Sequence, residues 1–75
     1  MSDQQGIAVT APMVGKLVEF KVKQGDAVKE DDVVAVIEAM KMLVDVYAPA
    51  GGTVQELKGT TGEVVKSGET LAIIG

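Results

Sequence analysis

The sequence predicts an all-β fold, two roughly four-stranded antiparallel sheets packed face to face with pseudo-twofold symmetry. Three observations predict it. The chain repeats itself at a spacing of 37 residues, turn residues cut each copy into short apolar runs, and no window carries helical apolar spacing over a useful length. Residues 7–38 align with 44–75 without a gap, and eleven of the 32 pairs are identical. The identities include Ala11/Ala48, Pro12/Pro49, Gly15/Gly52 and Gly25/Gly62, so turn residues repeat as faithfully as the valines do.

Each half is read in the same order. Ile7–Thr10 and Val44–Tyr47 are short apolar strands. An Ala-Pro pair then bends the chain, because proline fixes φ near −65° and drives the residue before it into extended geometry. Gly15–Val22 and Gly52–Leu57 are second strands in which apolar residues fall three apart, at Leu17 and Phe20 and at Val54 and Leu57. A straight strand points such residues to opposite faces, so a bulge or sharp twist is expected in both. "KQGDAVKEDD" and "TTGEVVKSGE" follow, each a Gly-acid turn leading into a short valine segment; left-handed backbone is expected at Gly25 and Gly62. Each half closes on an apolar run, Val33–Ile37 and Leu71–Ile74, of the kind buried on both sides. One half alone has nothing to cover its apolar face, whereas two halves cover each other.

Composition removes whole classes of function. The chain has no cysteine and no histidine, which excludes disulfides, thiolate metal sites and the usual general base. A net charge of −4 and only two aromatic residues, Phe20 and Tyr47, argue against nucleic acid and anionic membrane surfaces. No apolar run approaches the length of about 20 residues that spans a bilayer, so membrane insertion is not expected. The acidic run Glu30-Asp31-Asp32 is expected to be a solvated loop, since adjacent carboxylates on an extended chain alternate in direction and make a poor cage. Neither catalytic residues nor a metal site are expected. A cytoplasmic setting is, or an organelle matrix if the chain is cut from a longer one.

Between the two copies lie only Ala39, Met40, Lys41, Met42 and Leu43. The repeat therefore places "EAMKM" at a hairpin joining the halves, with Lys41 at one end of the sandwich and the chain termini at the other. Tight hairpins favour Asn-Gly or Asp-Gly, because their central residues need positive φ. Met-Lys offers neither, so a tight turn here is strained, and strain of this kind collects at functional positions. The residues alone lead to a lysine displayed on a rigid tip, with the methionines either exposed or folded back on the sandwich end.

"EAMKM", with Ala-Pro before and after it, resembles the biotinyl domain of biotin-dependent carboxylases, decarboxylases and transcarboxylases, the biotinyl/lipoyl attachment family. The resemblance covers residues 7–75, with 1–6 as a flexible N-terminus, and implies a flattened β-barrel, the barrel-sandwich hybrid. It implies a biotin carboxyl carrier in which Lys41 is the site of covalent biotin attachment. A biotin protein ligase would acylate the lysine through a biotinyl-adenylate, taking the net charge from −4 to −5. The tethered ring would shuttle a carboxyl group between a biotin carboxylase and a carboxyltransferase or decarboxylase, and the carrier itself would catalyse nothing. Met40 and Met42 are implied as recognition residues, with Glu38 and Ala39 completing the motif.

Departures from the family pattern are visible. Val14 stands where a second proline is common, Leu43 stands where a polar residue is common, and the turn in "KVKQGDAV" lacks the inserted thumb of some members. Where the family usually has an Ala/Pro-rich tether this sequence has "MSDQQG", and either a free-standing small subunit or a piece of a longer chain is expected. The nearest rival is a lipoyl domain of a 2-oxo acid dehydrogenase complex, with the same fold and an equivalent lysine. Such domains usually carry Asp-Lys-Ala at the tip, where this chain has Met-Lys-Met. An unmodified barrel of the same architecture, as in export adaptors, has no reason to carry that hairpin.

Overall fold

A computed structural model describes residues 6–75. Apart from Gly6, the expected N-terminal extension lies outside the described residues. Eight strands follow in order: β1 (Ile7–Thr10), β2 (Gly15–Phe20), β3 (Ala27–Val28), β4 (Val33–Ala39), β5 (Met42–Tyr47), β6 (Gly52–Leu57), β7 (Val64–Val65) and β8 (Thr70–Ile74). No described residue is helical, and so no helix is long and apolar enough to cross a membrane. The strands form two antiparallel sheets, ordered β1-β8-β6-β3 and β5-β4-β2-β7.

The repeat governs the topology. A shift of 37 residues converts β1, β2, β3 and β4 into β5, β6, β7 and β8, and it converts the first sheet's order into the second's. Each sheet therefore takes two strands from each half, so neither half forms a sheet by itself. Backbone hydrogen bonds obey the same shift. Ala11 N donates to Glu69 O at 2.9 Å, as Ala48 N does to Asp32 O at 2.8 Å. Leu17 N donates to Glu63 O at 2.9 Å, as Val54 N does to Asp26 O at 2.8 Å.

The expected bulges are present and matched. Pairing of β2 with β4 skips a residue between Leu17 and Glu19, and pairing of β6 with β8 skips one between Val54 and Glu56. A second matched pair sits in β4, between Val33 and Ala35, and where β8 passes β1 at Val9 and Thr10. The expected burial of the closing strands holds for Val34–Ile37 of β4 and departs in β8 at Ile73 alone. Val34 and Ala35, like Leu71 and Ala72, are buried in succession because the bulge turns neighbours inward, as a bulge does when it breaks strict alternation. On the outer face Val36 is buried but its mate Ile73 is only half-buried, so β8 is not covered on both sides.

The core is built from symmetric pairs. Its fourteen buried residues resolve into seven pairs of mates: Val9/Val46, Ala11/Ala48, Leu17/Val54, Val28/Val65, Val34/Leu71, Ala35/Ala72 and Ile37/Ile74. Among the described residues no polar or charged side chain is buried. Hydrophobic burial thus supplies the stabilisation, at about 25 cal/mol per Å². Strand limits differ from the expected ones where pairing decides them. β2 stops at Phe20, while β4 and β5 run on to Ala39 and from Met42 because each continues to pair with the other.

Candidate functional site

The β4–β5 hairpin is the longest paired ribbon in the molecule, in register from Val33↔Tyr47 to Ala39↔Met42. Only Met40 and Lys41 remain outside the ladder. Both are left-handed, Met40 at φ 53° and Lys41 at φ 67°. Two consecutive left-handed residues make the mirror-image turn whose twist matches antiparallel strands. For residues with a Cβ this geometry costs roughly 1–2 kcal/mol each, and the expected strain at this corner is therefore present. Among the described residues, Asp31 is the one other non-glycine with positive φ.

The methionines do not fold back. Met40 is 93% exposed and Met42 is 68% exposed, while Ala39 beneath them is buried against the sheet. Lys41 and Glu38 are exposed. The ion pairs among the described residues belong to other lysines, Lys21 with Glu19 at 3.2 Å and its mate Lys58 with Glu56 at 3.7 Å. Lys41 is thus held by its backbone, and its amine makes no ion pair among the described residues. No cavity is found among the described residues.

The tip lies at the end opposite to Ile7 and the C-terminal Gly75. From Met42, β5 runs six residues away from the tip, about 3.3 Å per residue. The chain then turns at Ala48-Pro49 and enters β6 at Gly52, beside the C-terminus. There Thr53 N donates to Gly75 O at 3.0 Å and Gly75 N donates back to Thr53 O at 2.9 Å. Ile7↔Ile74 pairs at that end as Val44↔Ile37 pairs near the tip.

One row below the tip the sequence reading missed a surface. Leu43, Glu38, Lys16 and Val64 are registered neighbours across all four strands of the sheet, and all are exposed. Leu43 and Val64 are each 67% exposed, large apolar residues on the solvent face beside the hairpin. Their mates in the repeat are Gly6, Gly75, Thr53 and Ala27. The signal that finds Lys16 and Val64 is the mismatch itself: a repeat that preserves its core pairs departs from its own pattern around Lys41. The acidic run lies elsewhere, as a solvated turn in which Lys29 N donates to Asp32 Oδ2 at 2.8 Å.

Comparison with known proteins bears on this geometry. The family model described as "Biotin-requiring enzyme" matches residues 7–74. The chain is 33% identical over 66 residues to the "Biotinylated protein TB7.3 homolog" of Mycobacterium leprae, covering 88% of this chain and 93% of that one. It is 36% identical over 67 residues to the methylcrotonoyl-CoA carboxylase subunit alpha, mitochondrial, of Dictyostelium discoideum, covering 89% of this chain but 10% of that subunit. It is also 38% identical over 61 residues to the dihydrolipoyllysine-residue acetyltransferase component of the Staphylococcus aureus pyruvate dehydrogenase complex, 81% of this chain and 13% of that component. Among solved structures, the Kluyveromyces lactis urea carboxylase superposes over 100% of this chain and 7% of its own, with TM-score 0.91 and 27% identity.

Proposed function

This chain belongs to the biotin/lipoyl attachment family, and from that premise we propose that it is a biotin carboxyl carrier with biotin joined to Lys41 by an amide bond. The observation that carries the reading is the tip itself: a strained two-residue turn that displays Lys41 between two exposed methionines, with the C-terminus at the far end. In this reading the Lys41 amine attacks the carbonyl of an activated biotin, adenylate leaves, and the amine's proton passes to solvent or the ligase. The chain has no imidazole or thiol to assist, so the chemistry falls to a biotin protein ligase. Bound biotin supplies a ureido nitrogen that carries a carboxyl group.

What the protein contributes is presentation. Met40 and Met42 offer polarizable contact surface to the ligase and to the partner sites, and Glu38 and Ala39 form the base of the hairpin. Residues 7–75 act as one non-catalytic carrier domain serving a biotin carboxylase and a carboxyltransferase or decarboxylase, in the cytoplasm or an organelle matrix. Tethering raises the effective concentration of the carried group at both sites. The staphylococcal acetyltransferase relative favours a second reading, a lipoyl carrier using the same lysine. Intact mass after incubation with biotin, ATP and a biotin protein ligase, beside a tube holding lipoate and a lipoate ligase, separates the two. A gain of one biotinyl group that is absent in K41R supports the first reading. A lipoyl gain alone moves the protein to the second, and no gain in either tube removes both.

A further inference from the structure

We propose that Gly15 is a positioning residue for Lys41, seating the base of the tip by having no side chain. Gly15 opens β2 and pairs with Val65 of β7, one residue before the Lys16↔Glu38 pair. A Cβ built on it meets the Glu38 carbonyl oxygen at 2.8 Å, its carbon at 3.3 Å and the Ala39 methyl at 3.4 Å. The first two are backbone atoms, so even a methyl group at position 15 has to displace β4 at Glu38. Gly15 is not left-handed, so the position uses the missing side chain rather than the backbone freedom of glycine.

Glu38 and Ala39 lead directly into the turn, which lacks the residues that select its geometry for themselves. Met40 and Lys41 are held left-handed by the ladder beneath them, and a shift at Glu38 is therefore delivered to the tip. The repeat supplies its own control. Gly52, the mate of Gly15, opens β6 at the termini end, where a Cβ meets Ile74 Cγ2 at 2.9 Å and the Gly75 oxygen at 3.2 Å. Gly52 differs in lying at φ 157° and in meeting a side chain first, so it is a crowded glycine at the end of the barrel that lacks the lysine.

The kinetic arm of the test rests on the biotin-carrier reading; the spectroscopic arm does not. G15A, G52A and the unaltered chain are compared by thermal melting, by biotin protein ligase kinetics, and by the backbone amide shifts of residues 39–43. A positioning role predicts that G15A moves those amides and lowers kcat/KM roughly tenfold to a hundredfold, chiefly in kcat. G52A should melt lower as well, yet leave the amides unmoved and the kinetics within about twofold. Equal kinetic losses in both variants, unmoved tip amides in G15A, or a G15A that fails to fold while G52A folds, each overturn the proposal. If the unaltered chain takes no biotin, the carrier reading fails and the amide shifts alone decide the role of Gly15.

Discussion

Asp31 and Gly68 occupy the same place in the two halves, and both are left-handed, at φ 75° and φ 85°. Their amides make equivalent bonds, Asp31 N to Ala48 O at 2.9 Å and Gly68 N to Ala11 O at 2.8 Å. The turn geometry is thus common to both copies, and one copy holds it with a residue poorly suited to it. Asp31→Gly is expected to stabilise the fold by about 0.5–1 kcal/mol, as relief of left-handed strain exceeds the entropy glycine adds to the unfolded chain. It also removes one charge from a run of three carboxylates. Urea unfolding checks this, and a destabilised variant contradicts it.

Gly62 lies at φ 92°, and a Cβ added there would meet no atom within 4 Å, so the obstacle to a side chain is backbone strain and not space. Gly62→Val should therefore cost about 1–2 kcal/mol, and about 4–8 °C of melting temperature per kcal/mol in a domain of this size. An unchanged melting temperature means that the turn does not hold its left-handed geometry in solution.

Leu17 and Val54 are mates, each fully buried on the inner face beside its bulge. Leu17→Ala is expected to lose about 2–5 kcal/mol, comparable with the whole stability of a domain this small. Val54→Ala removes fewer atoms and should lose less. Circular dichroism with urea titration reads both, and a Leu17→Ala chain that stays as stable as the parent would falsify the packing described for this core.

The tip methionines are exposed, so changing them should leave the barrel intact. The double substitution of Met40→Asp with Met42→Ala is expected to keep the melting temperature within a few degrees. It should lower ligase kcat/KM by roughly an order of magnitude, as loss of contact made by two side chains implies. Kinetics equal to the parent show that the ligase does not read Met40 or Met42.

Much of this was legible in the sequence because the repeat constrains it twice. Proline, glycine and valine recurring at 37 residues placed the strands, both bulges near Leu17 and Val54, and the left-handed glycines at 25 and 62. The leftover segment placed Lys41 at a hairpin and forecast its strain. What periodicity does not carry is pairing: strand ends at Phe20 and Ala39 depend on hydrogen bonds to distant strands. The burial of Val34 and Ala35 was legible in the apolar run, whereas the bulge that turns both inward is announced by no residue type. The Leu43–Glu38–Lys16–Val64 row joins four strands, so it exists only once the register is known.

The most direct test of Lys41 as the biotin acceptor is tryptic peptide mass after exposure to a biotin protein ligase, biotin and ATP. Acylation of Lys41 blocks cleavage there, so residues 30–58 should appear as one peptide carrying one biotinyl group, because Lys29, Lys41 and Lys58 are the successive tryptic sites. Separate unmodified peptides 30–41 and 42–58, or biotin on any other lysine, contradict the assignment.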